Sequence, residues 1–318
     1  MGSTTNSYDK TVSILNYYID LKKFVYKLKI FDSKGIPLVR YPFNIGIQYN
    51  PVTCCQYALG NLQLYLSNYR KKFLDRFFKI CEWLIDTSQD TECGGVAWYY
   101  KYDNPWYPVK TPYLSCMSQG QAISVFVRAY MLTRELDYVD LAKKAFKVLQ
   151  TPMEKKGVLY KDSVGIWLEE TPTMPPSHIL NGWIYAIFGV YDLFLATKSG
   201  EYKKFFDQCI ITLKRAIPLY DNGYWSVYDL FFKYPSTSFY HKLHIQQLKT
   251  LHEITNVKIF NEIAKKFENY QKIKMYNFRS VLSRNFLSIK DIVRLYGPKS
   301  LVIRLKNKIL FNNQLMQE

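Results

Sequence analysis

The residues best suited to chemistry lie close together in residues 223–248, where aromatic and ionisable side chains are interleaved. Asp229, His241 and His244 occur there among eight aromatic residues, half of them tyrosines. Aromatic faces cover the apolar C–H faces of pyranose rings, and a tyrosine adds a hydroxyl that can bond or transfer a proton. The stretch therefore predicts a sugar site, with a packed aromatic core as the alternative.

A helix is predicted from Ser238 onward, because His241, His244 and Leu248 recur on one face. Two histidines alone make a poor metal site, and no acidic or thiol ligands cluster near them in the sequence. We therefore predict no bound metal, and we expect His244 either to support the substrate site or to be a satisfied core histidine.

Paired helices are expected to position this stretch. Apolar periodicity predicts eight of them, at residues 53–69, 70–87, 118–133, 138–149, 177–196, 201–217, 238–254 and 258–270. Short and long connections alternate, and helices joined by short connections pack as antiparallel neighbours. The pattern favours a mainly α fold, an (α/α) toroid in which inner helices converge on a cleft and long loops complete it.

The remaining segments suggest three parts of the chain. Residues 1–50 are expected to form an N-terminal extension with short strands, and residues 51–272 the (α/α) barrel. Alternating residues near 94–112 predict a β-hairpin or a long loop inserted in that barrel, and residues 157–170 predict another hairpin. Residues 273–318 form a basic C-terminal tail.

The net charge of +17 over 318 residues favours a polyanionic partner, namely nucleic acid, an acidic polysaccharide or an anionic membrane. The sequence has no Cys/His finger spacing, basic heptads or RRM motif, so no nucleic-acid partner is predicted. Residues 272–318 carry ten Lys or Arg against two acidic residues. Residues 300–311 mix apolar and basic side chains, which suits a solvated basic helix, a tail packed on the barrel, or a surface helix docked on an anionic membrane or chain.

Six cysteines without a CxxC pair are expected to be reduced, and no signal peptide or membrane-spanning run is visible in the sequence. These features predict a cytoplasmic protein, peripheral at the inner membrane face if the basic tail binds lipid.

Four motifs occur in a fixed order. They are SCMSQGQAISVFVRAY at 115–130, EETPTMPPSHILNGWIYAIFGVYDL at 169–193, YDL at 228–230 and YHKLHIQQL at 240–248. Their types and order resemble the catalytic domain of the D-glucuronyl C5-epimerases, which convert glucuronate to iduronate in heparosan-like chains. The resemblance covers roughly residues 40–270. It implies an (α/α) barrel with a β-rich portion ahead of it, and a cofactor-independent isomerase that is often a dimer.

The resemblance also implies a reaction. A base removes the C5 proton α to the carboxylate, and an acid on the opposite face returns a proton, so the site must stabilise an enolate. Glu170 takes the position of the family's catalytic glutamate, Tyr240 that of the catalytic tyrosine, and Tyr228 matches another functional tyrosine. Burial can raise the pKa of a glutamate into the range useful for a base.

Substrate-binding roles are expected for several more residues. Asn181 matches the asparagine of the family's VLNG motif, and Tyr49 matches an aromatic stretch that lines the family's groove. Gln119 and Gln121 are expected to point into the cleft. Arg128 is expected to neutralise the substrate carboxylate, with a structural carboxylate partner as the alternative.

Two positions depart from the family pattern. Thr171 stands where the family has a tyrosine thought to share in proton transfer, so the acid–base scheme rests on Glu170 and Tyr240. Phe231 stands where an arginine commonly grips the substrate, which leaves Lys233 or Arg128 to replace it. A uronate polymer other than N-sulfated heparosan, or a lipid-linked repeat unit, is therefore a candidate substrate.

The leading hypothesis is a uronate C5-epimerase acting on a glucuronate-containing polysaccharide or its precursor. The first alternative is an (α/α) polysaccharide lyase, which shares the proton abstraction but then expels the C4 substituent. The second is a carbohydrate-binding member of the family whose catalytic site is eroded. A glycoside hydrolase is disfavoured, because nothing in the sequence places Glu170 and Asp229 as a pair flanking a glycosidic bond.

Overall fold

The computed structural model describes residues 14–296, with side chains up to residue 287. Ten α-helices occur in this range: α1 (Lys22–Lys27), α2 (Pro51–Asn68), α3 (Lys71–Thr87), α4 (Cys116–Thr133), α5 (Leu136–Gln150), α6 (Leu180–Thr197), α7 (Gly200–Ala216), α8 (Ser238–Thr255), α9 (Lys258–Lys272) and α10 (Lys274–Tyr296). The eight expected helices are α2 to α9, with ends within three residues of those predicted. The mainly α, (α/α) architecture is confirmed.

The helices form pairs because the first helix of each pair ends in the same way. Tyr69, Arg134, Lys198 and Asn256 follow α2, α4, α6 and α8, and each adopts a left-handed backbone conformation that turns the chain. The next helix then begins within two residues. The first helices α2, α4 and α6 are buried on most sides, whereas their partners α3, α5 and α7 are amphipathic.

Three antiparallel hairpins are inserted in the longer connections. They pair β1 (Leu38–Tyr41) with β2 (Gly46–Tyr49), β3 (Gln89–Asp90) with β4 (Val96–Ala97), and β5 (Leu159–Lys161) with β6 (Ile166–Leu168). The hairpin expected near residues 157–170 is therefore present. In residues 94–112 Val96 and Ala97 pair with β3, Tyr100 forms an isolated antiparallel bridge with Tyr113, and the residues between Tyr100 and Tyr113 form a long loop. The stretch 300–311 lies outside the described residues.

Helices α4 and α6 pack backbone against backbone in the core. A Cβ added at Gly120 would lie 2.4 Å from the Cα of Ala186, and one added at Gly189 would lie 2.2 Å from the carbonyl oxygen of Gly120. Helix α6 is long and apolar enough to cross a membrane by composition, but 72% of it is buried inside this fold. The close contact fixes the start of α6, which carries Asn181, relative to α4.

Candidate active site

The turn after β6 holds two adjacent glutamates in different surroundings, and the first of them is structural. Glu169 is fully buried, and its Oε2 accepts hydrogen bonds from the Ser177 amide at 3.0 Å, the Ser177 hydroxyl at 2.7 Å and the His178 amide at 2.9 Å. Its Oε1 lies 2.6 Å from Nδ1 of His178. A carboxylate held by this many donors fixes the turn, and so fixes the backbone of Glu170.

Glu170 points its carboxyl group at the first turn of α6. The residue is partly exposed, but its Oε2 is buried and finds no hydrogen-bond partner among the described residues. A Cβ at Gly182 would lie 2.0 Å from this oxygen, so only glycine leaves room for the carboxyl group there. Buried polar atoms are normally satisfied, so an unsatisfied carboxyl oxygen calls for an explanation, and a ligand contact is one.

The surroundings of Glu170 raise the pKa of its carboxyl group strongly. Burial, followed by the charges of Glu169 and Asp229, raises its pKa to about 8, and the Gly182 amide only partly opposes this. A carboxylic acid tuned close to the working pH is a suitable general base or acid.

Tyr228 and Tyr240 lie beside Glu170, as the sequence motifs predict. Their ring centroids are 4.7 Å apart in an edge-on arrangement. Burial and then the charge of Glu170 raise the pKa of Tyr240 to about 12. A hydrogen bond from Tyr228 lowers this pKa but does not offset the two larger effects. Burial and Glu170 likewise raise the pKa of Tyr228. Both phenols are therefore neutral proton donors near neutral pH.

The backbone explains how the two tyrosines reach this position. Thr237 caps α8 by accepting the amide of Tyr240 at 3.3 Å, which places Tyr240 in the first turn. The carbonyl of Tyr228 accepts the amide of Leu180 at 3.2 Å, which ties its loop to the start of α6. The first turns of α6 and α8 thus meet at the site.

More tyrosines surround Glu170 than the motifs indicate. The carboxylate charge contributes to raising the pKa of Tyr100, Tyr107, Tyr113 and Tyr185. The Tyr107 hydroxyl also donates to Asp229 Oδ2 at 2.9 Å. Three of these tyrosines come from the loop after β4, and the only sequence signal for them is the density of tyrosines between residues 99 and 113.

Asn181 has a free acceptor close to Glu170. Its Oδ1 is buried without a partner in the described part of the chain, and its carbonyl accepts Gln247 Nε2 at 3.0 Å. Thr171 is buried, and its carbonyl accepts the Ser177 hydroxyl at 2.7 Å, so its backbone belongs to the structural turn. Thr171 follows Glu170 in the chain, and Asn181 precedes Gly182, against which the Glu170 carboxyl group packs.

The expectation that Arg128 contacts substrate is wrong. Arg128 is fully buried, its Nη1 lies 2.6 Å from Asp192 Oδ2, and the exposed fraction of both side chains is 0%. Its guanidinium also covers the rings of Tyr17 and Tyr18. A polymer has no access to this cation, and the structural carboxylate partner is the correct alternative.

Gln119 is likewise structural rather than part of the cleft. It is fully buried, donates to the carbonyls of Val96 and Ala145, and accepts from the amide of Trp98. Gln121 is also fully buried, but neither its amide oxygen nor its amide nitrogen has a hydrogen-bond partner among the described residues. The structure therefore gives Gln119 a structural role, and the expectation for Gln121 stays a prediction.

His241 and His244 of α8 lie in the core. His244 Nδ1 is 3.0 Å from the hydroxyl of Ser226, and burial lowers the pKa of His244 to about 3. His241 stacks on Trp225 at 3.8 Å and hydrogen bonds to the carbonyl of Phe267. Within residues 14–296, no three His, Cys, Asp or Glu side chains converge as metal ligands would. His244 is thus a core residue, but its Nε2 is buried without a hydrogen-bond partner among the described residues, so its support of the substrate site stays a prediction.

Tyr49 is not brought to the Glu170 cluster. Its hydroxyl donates to Asp32 Oδ2 at 2.7 Å, and its ring packs on Trp83 at 5.6 Å.

A separate groove of about 810 Å³ is lined by Tyr113 and Pro172, and also by Lys155 and Glu154.

Comparison with known proteins gives a consistent picture. A family model described as the D-glucuronyl C5-epimerase C-terminus matches residues 89–269, which contain Glu170, Asn181, Tyr228 and Tyr240. The D-glucuronyl C5-epimerase of Caenorhabditis elegans is 27% identical over 219 residues, which cover 63% of this chain and 36% of that enzyme. The chain therefore matches only about a third of the length of the worm enzyme.

Two further comparisons extend this likeness. An uncharacterised protein of Methanocaldococcus jannaschii is 28% identical over 212 residues, covering 62% of this chain and 67% of that protein. The cellobiose 2-epimerase of Bacillus thermoamylovorans is similar in structure with a TM-score of 0.51 and 12% identity, over 81% of this chain and 72% of that one. At that identity the likeness concerns the fold alone.

Proposed function

The chain belongs to the family described as the D-glucuronyl C5-epimerase C-terminus, and from this membership we propose that it is a carbohydrate epimerase acting on uronate residues of an acidic polysaccharide or its precursor. The observation that carries the proposal is the buried, unpartnered carboxyl oxygen of Glu170 beside Tyr228 and Tyr240. Desolvating an acid without a partner costs stability, so such a group is typical of a functional site.

The proposed reaction uses two groups on opposite faces of the sugar. The Glu170 carboxylate takes the proton from C5, and the electrons of the broken C–H bond move into an enediolate shared with the uronate carboxyl group. Tyr240 then donates its phenolic proton to C5 from the other face, which inverts the centre. Tyr228 donates a hydrogen bond that stabilises the resulting phenolate, and solvent exchange restores both groups.

The charge around the site bears on the substrate. The groups that shift the pKa of Glu170 by their charge are the acidic residues Glu169 and Asp229. A uronate is also an anion, so its binding is favoured when Glu170 is protonated and donates a hydrogen bond to the substrate carboxyl group. A pKa of about 8 keeps this form abundant at neutral pH while leaving some carboxylate for catalysis.

The environment of Phe231 favours a substrate that carries few charges beside the reacting uronate. The centroid of its ring lies 4.7 Å from that of Phe232 and 6.1 Å from that of Tyr107. These rings form an apolar wall where the resembled family commonly has an arginine. A sulfate group would be poorly solvated against such a wall. A non-sulfated glucuronate polymer, or a repeat unit of one, therefore fits best.

Solvent exchange tests this function directly. The protein is incubated in deuterated water with a non-sulfated glucuronate polymer, and C5 deuterium is measured by NMR. We expect deuterium at C5 together with iduronate signals. A new ultraviolet absorption from an unsaturated uronate would instead establish the lyase alternative. The absence of exchange on every uronate polymer tried would contradict both enzymes and leave a carbohydrate-binding role.

The pH dependence follows from the ionisation of Glu170. Because the proposed base must be ionised, kcat/KM is expected to rise about tenfold per pH unit below about pH 8 and then level off. Tyr240, with its pKa raised to about 12, stays protonated across this range and adds no falling limb below pH 10. The measurement is the initial exchange rate from pH 5 to 10.

A matched control separates catalysis from binding in this profile. The Kd of the polymer is measured over the same range, and it is expected to weaken as Glu170 ionises. A rate limb with its midpoint between pH 4 and 5 would show that the base is an unperturbed carboxylate other than Glu170. A rate that falls above pH 8 would show that the protonated acid is the active form.

A further inference from the structure

Helix α10 covers the outside of the loop that carries Tyr228. The ring of Tyr276 packs against Tyr270 at 5.7 Å and Tyr224 at 6.2 Å, and the guanidinium of Arg279 lies 4.1 Å from the centroid of Tyr224. Tyr234, from the same loop, donates to the carbonyl of Leu287 at 3.4 Å. One face of α10 is thus anchored on the barrel.

The other face of α10 is apolar and open to solvent. The exposed fractions of Met275, Phe278, Leu282 and Phe286 are 69%, 66%, 52% and 70%. Steps of three, four and four residues place these side chains in one stripe along the helix. Single exposed apolar residues are ordinary, but a contiguous stripe of four large ones marks a surface that binds something.

The charges of this segment limit what the stripe can bind. The sequence of α10 carries Lys or Arg at positions 274, 279, 284, 290 and 294, against the single acid Asp291. The whole chain has a net charge of +17. Two copies meeting through this face would bring like charges together, which opposes self-association, whereas a negatively charged surface complements it.

We propose that α10 docks the protein on an anionic lipid bilayer, with the Met275, Phe278, Leu282 and Phe286 stripe buried below the headgroups. Cations beside an apolar stripe are the arrangement by which surface helices bind such bilayers, the cations pairing with phosphate headgroups. Since α10 contacts the Tyr228 loop directly, docking holds this side of the site near the membrane. A saccharide attached to a membrane lipid would therefore be within its reach.

Vesicle co-sedimentation tests the proposal on the full chain. Vesicles of phosphatidylglycerol and phosphatidylcholine in equal parts are compared with phosphatidylcholine alone. We expect binding to the mixed vesicles only, weakened at high salt because headgroup attraction is screened. The triple variant Phe278→Ser, Leu282→Ser and Phe286→Ser is expected to bind at least about tenfold more weakly, since it loses most of the inserted apolar area.

Matched variants make the result decisive. Leu136 and Leu219, exposed to 65% and 55%, lie elsewhere on the surface, so Leu136→Ser with Leu219→Ser is expected to bind vesicles like the wild type. A second variant, Lys274→Glu with Lys290→Glu, leaves the stripe intact and is expected to lose binding to the anionic vesicles. Circular dichroism checks that each variant is folded.

Three outcomes would overturn the proposal. The first is a wild-type chain that stays soluble with anionic vesicles at low salt. The second is a triple variant that binds vesicles as well as the wild type. The third is a wild-type dimer in sedimentation equilibrium that is lost in the triple variant, without vesicle binding by either protein. That result would assign the stripe to a second copy of this chain.

Discussion

Replacing Glu170 by glutamine is expected to lower the exchange rate at C5 by roughly a hundred- to ten-thousandfold, the range that general acid–base catalysis contributes. Glutamine keeps the size and the contact with the Gly182 amide but cannot accept the proton from C5. Polymer binding is expected to persist, because a neutral amide imitates the protonated acid. The measurements are C5 deuterium incorporation and the Kd of the polymer.

The same substitution is expected to stabilise the fold above neutral pH. The pKa of Glu170 is raised from 4.5 to about 8, so the folded protein holds a proton that the unfolded chain has released. The contribution of this group to the free energy of unfolding therefore falls as pH rises from about 4.5 to 8. Above about pH 8 this contribution stays at its lowest value. After allowance for partial exposure, Glu170→Gln is expected to gain on the order of 2 kcal/mol at pH 9 and little at pH 4.

The matched control is Glu253→Gln, at an exposed position near the other end of α8. This variant is expected to keep wild-type activity, and its stability is expected to stay within about 0.5 kcal/mol of wild type. If Glu170→Gln retained more than a tenth of the wild-type rate, Glu170 would not be the proton acceptor. In that case the surrounding tyrosines would have to supply the base.

The variant Arg128→Met is expected to destabilise the protein by about 3–5 kcal/mol, the typical cost of removing one partner of a buried ion pair. Asp192 would remain fully buried and would lose the guanidinium that lies 2.6 Å away. The Tyr18 hydroxyl, which donates to Asp192 Oδ1 at 2.7 Å, cannot compensate a full charge. Urea unfolding at pH 7 measures the loss.

Two further variants control for general effects of removing a charge. Lys203 and Asp207 form an exposed pair on α7, so Lys203→Met is expected to cost less than about 1 kcal/mol. The double variant Arg128→Met with Asp192→Leu removes both buried charges, and it is expected to recover most of the stability lost in Arg128→Met. A double variant less stable than the single one would show that the pair is net stabilising.

The helices were predictable because their signals are local. Apolar periodicity and turn residues placed α2 to α9 within three residues, since both depend on neighbours along the chain. The positions of Glu170, Tyr228 and Tyr240 followed from motifs that keep their order. The motifs do not predict which way a side chain points on a helix that is covered by other elements on most sides.

Arg128 and Gln119 illustrate this limit. Both lie on α4, where nearly every position is buried, so periodicity does not distinguish the cleft from a neighbouring helix. The partner of Arg128 is 64 residues away, and only tertiary packing brings the two together. The tyrosines at 100, 107 and 113 were missed for another reason, because alternation along the chain predicts a hairpin or loop but not which distant residues that loop contacts.

The glycines between α4 and α6 limit how this protein can evolve. At most core positions the neighbours of a larger side chain would be other side chains, which can change rotamer at a cost of about 1–3 kcal/mol. Gly120 and Gly189 have backbone atoms as neighbours, and a backbone within a helix cannot move without shifting the whole helix. Substitutions are therefore expected to be tolerated less well at Gly120 and Gly189 than in the loops that carry the tyrosine cluster. The packing of α4 on α6, and with it the position of Asn181 at the start of α6, is the part of the site least open to substitution.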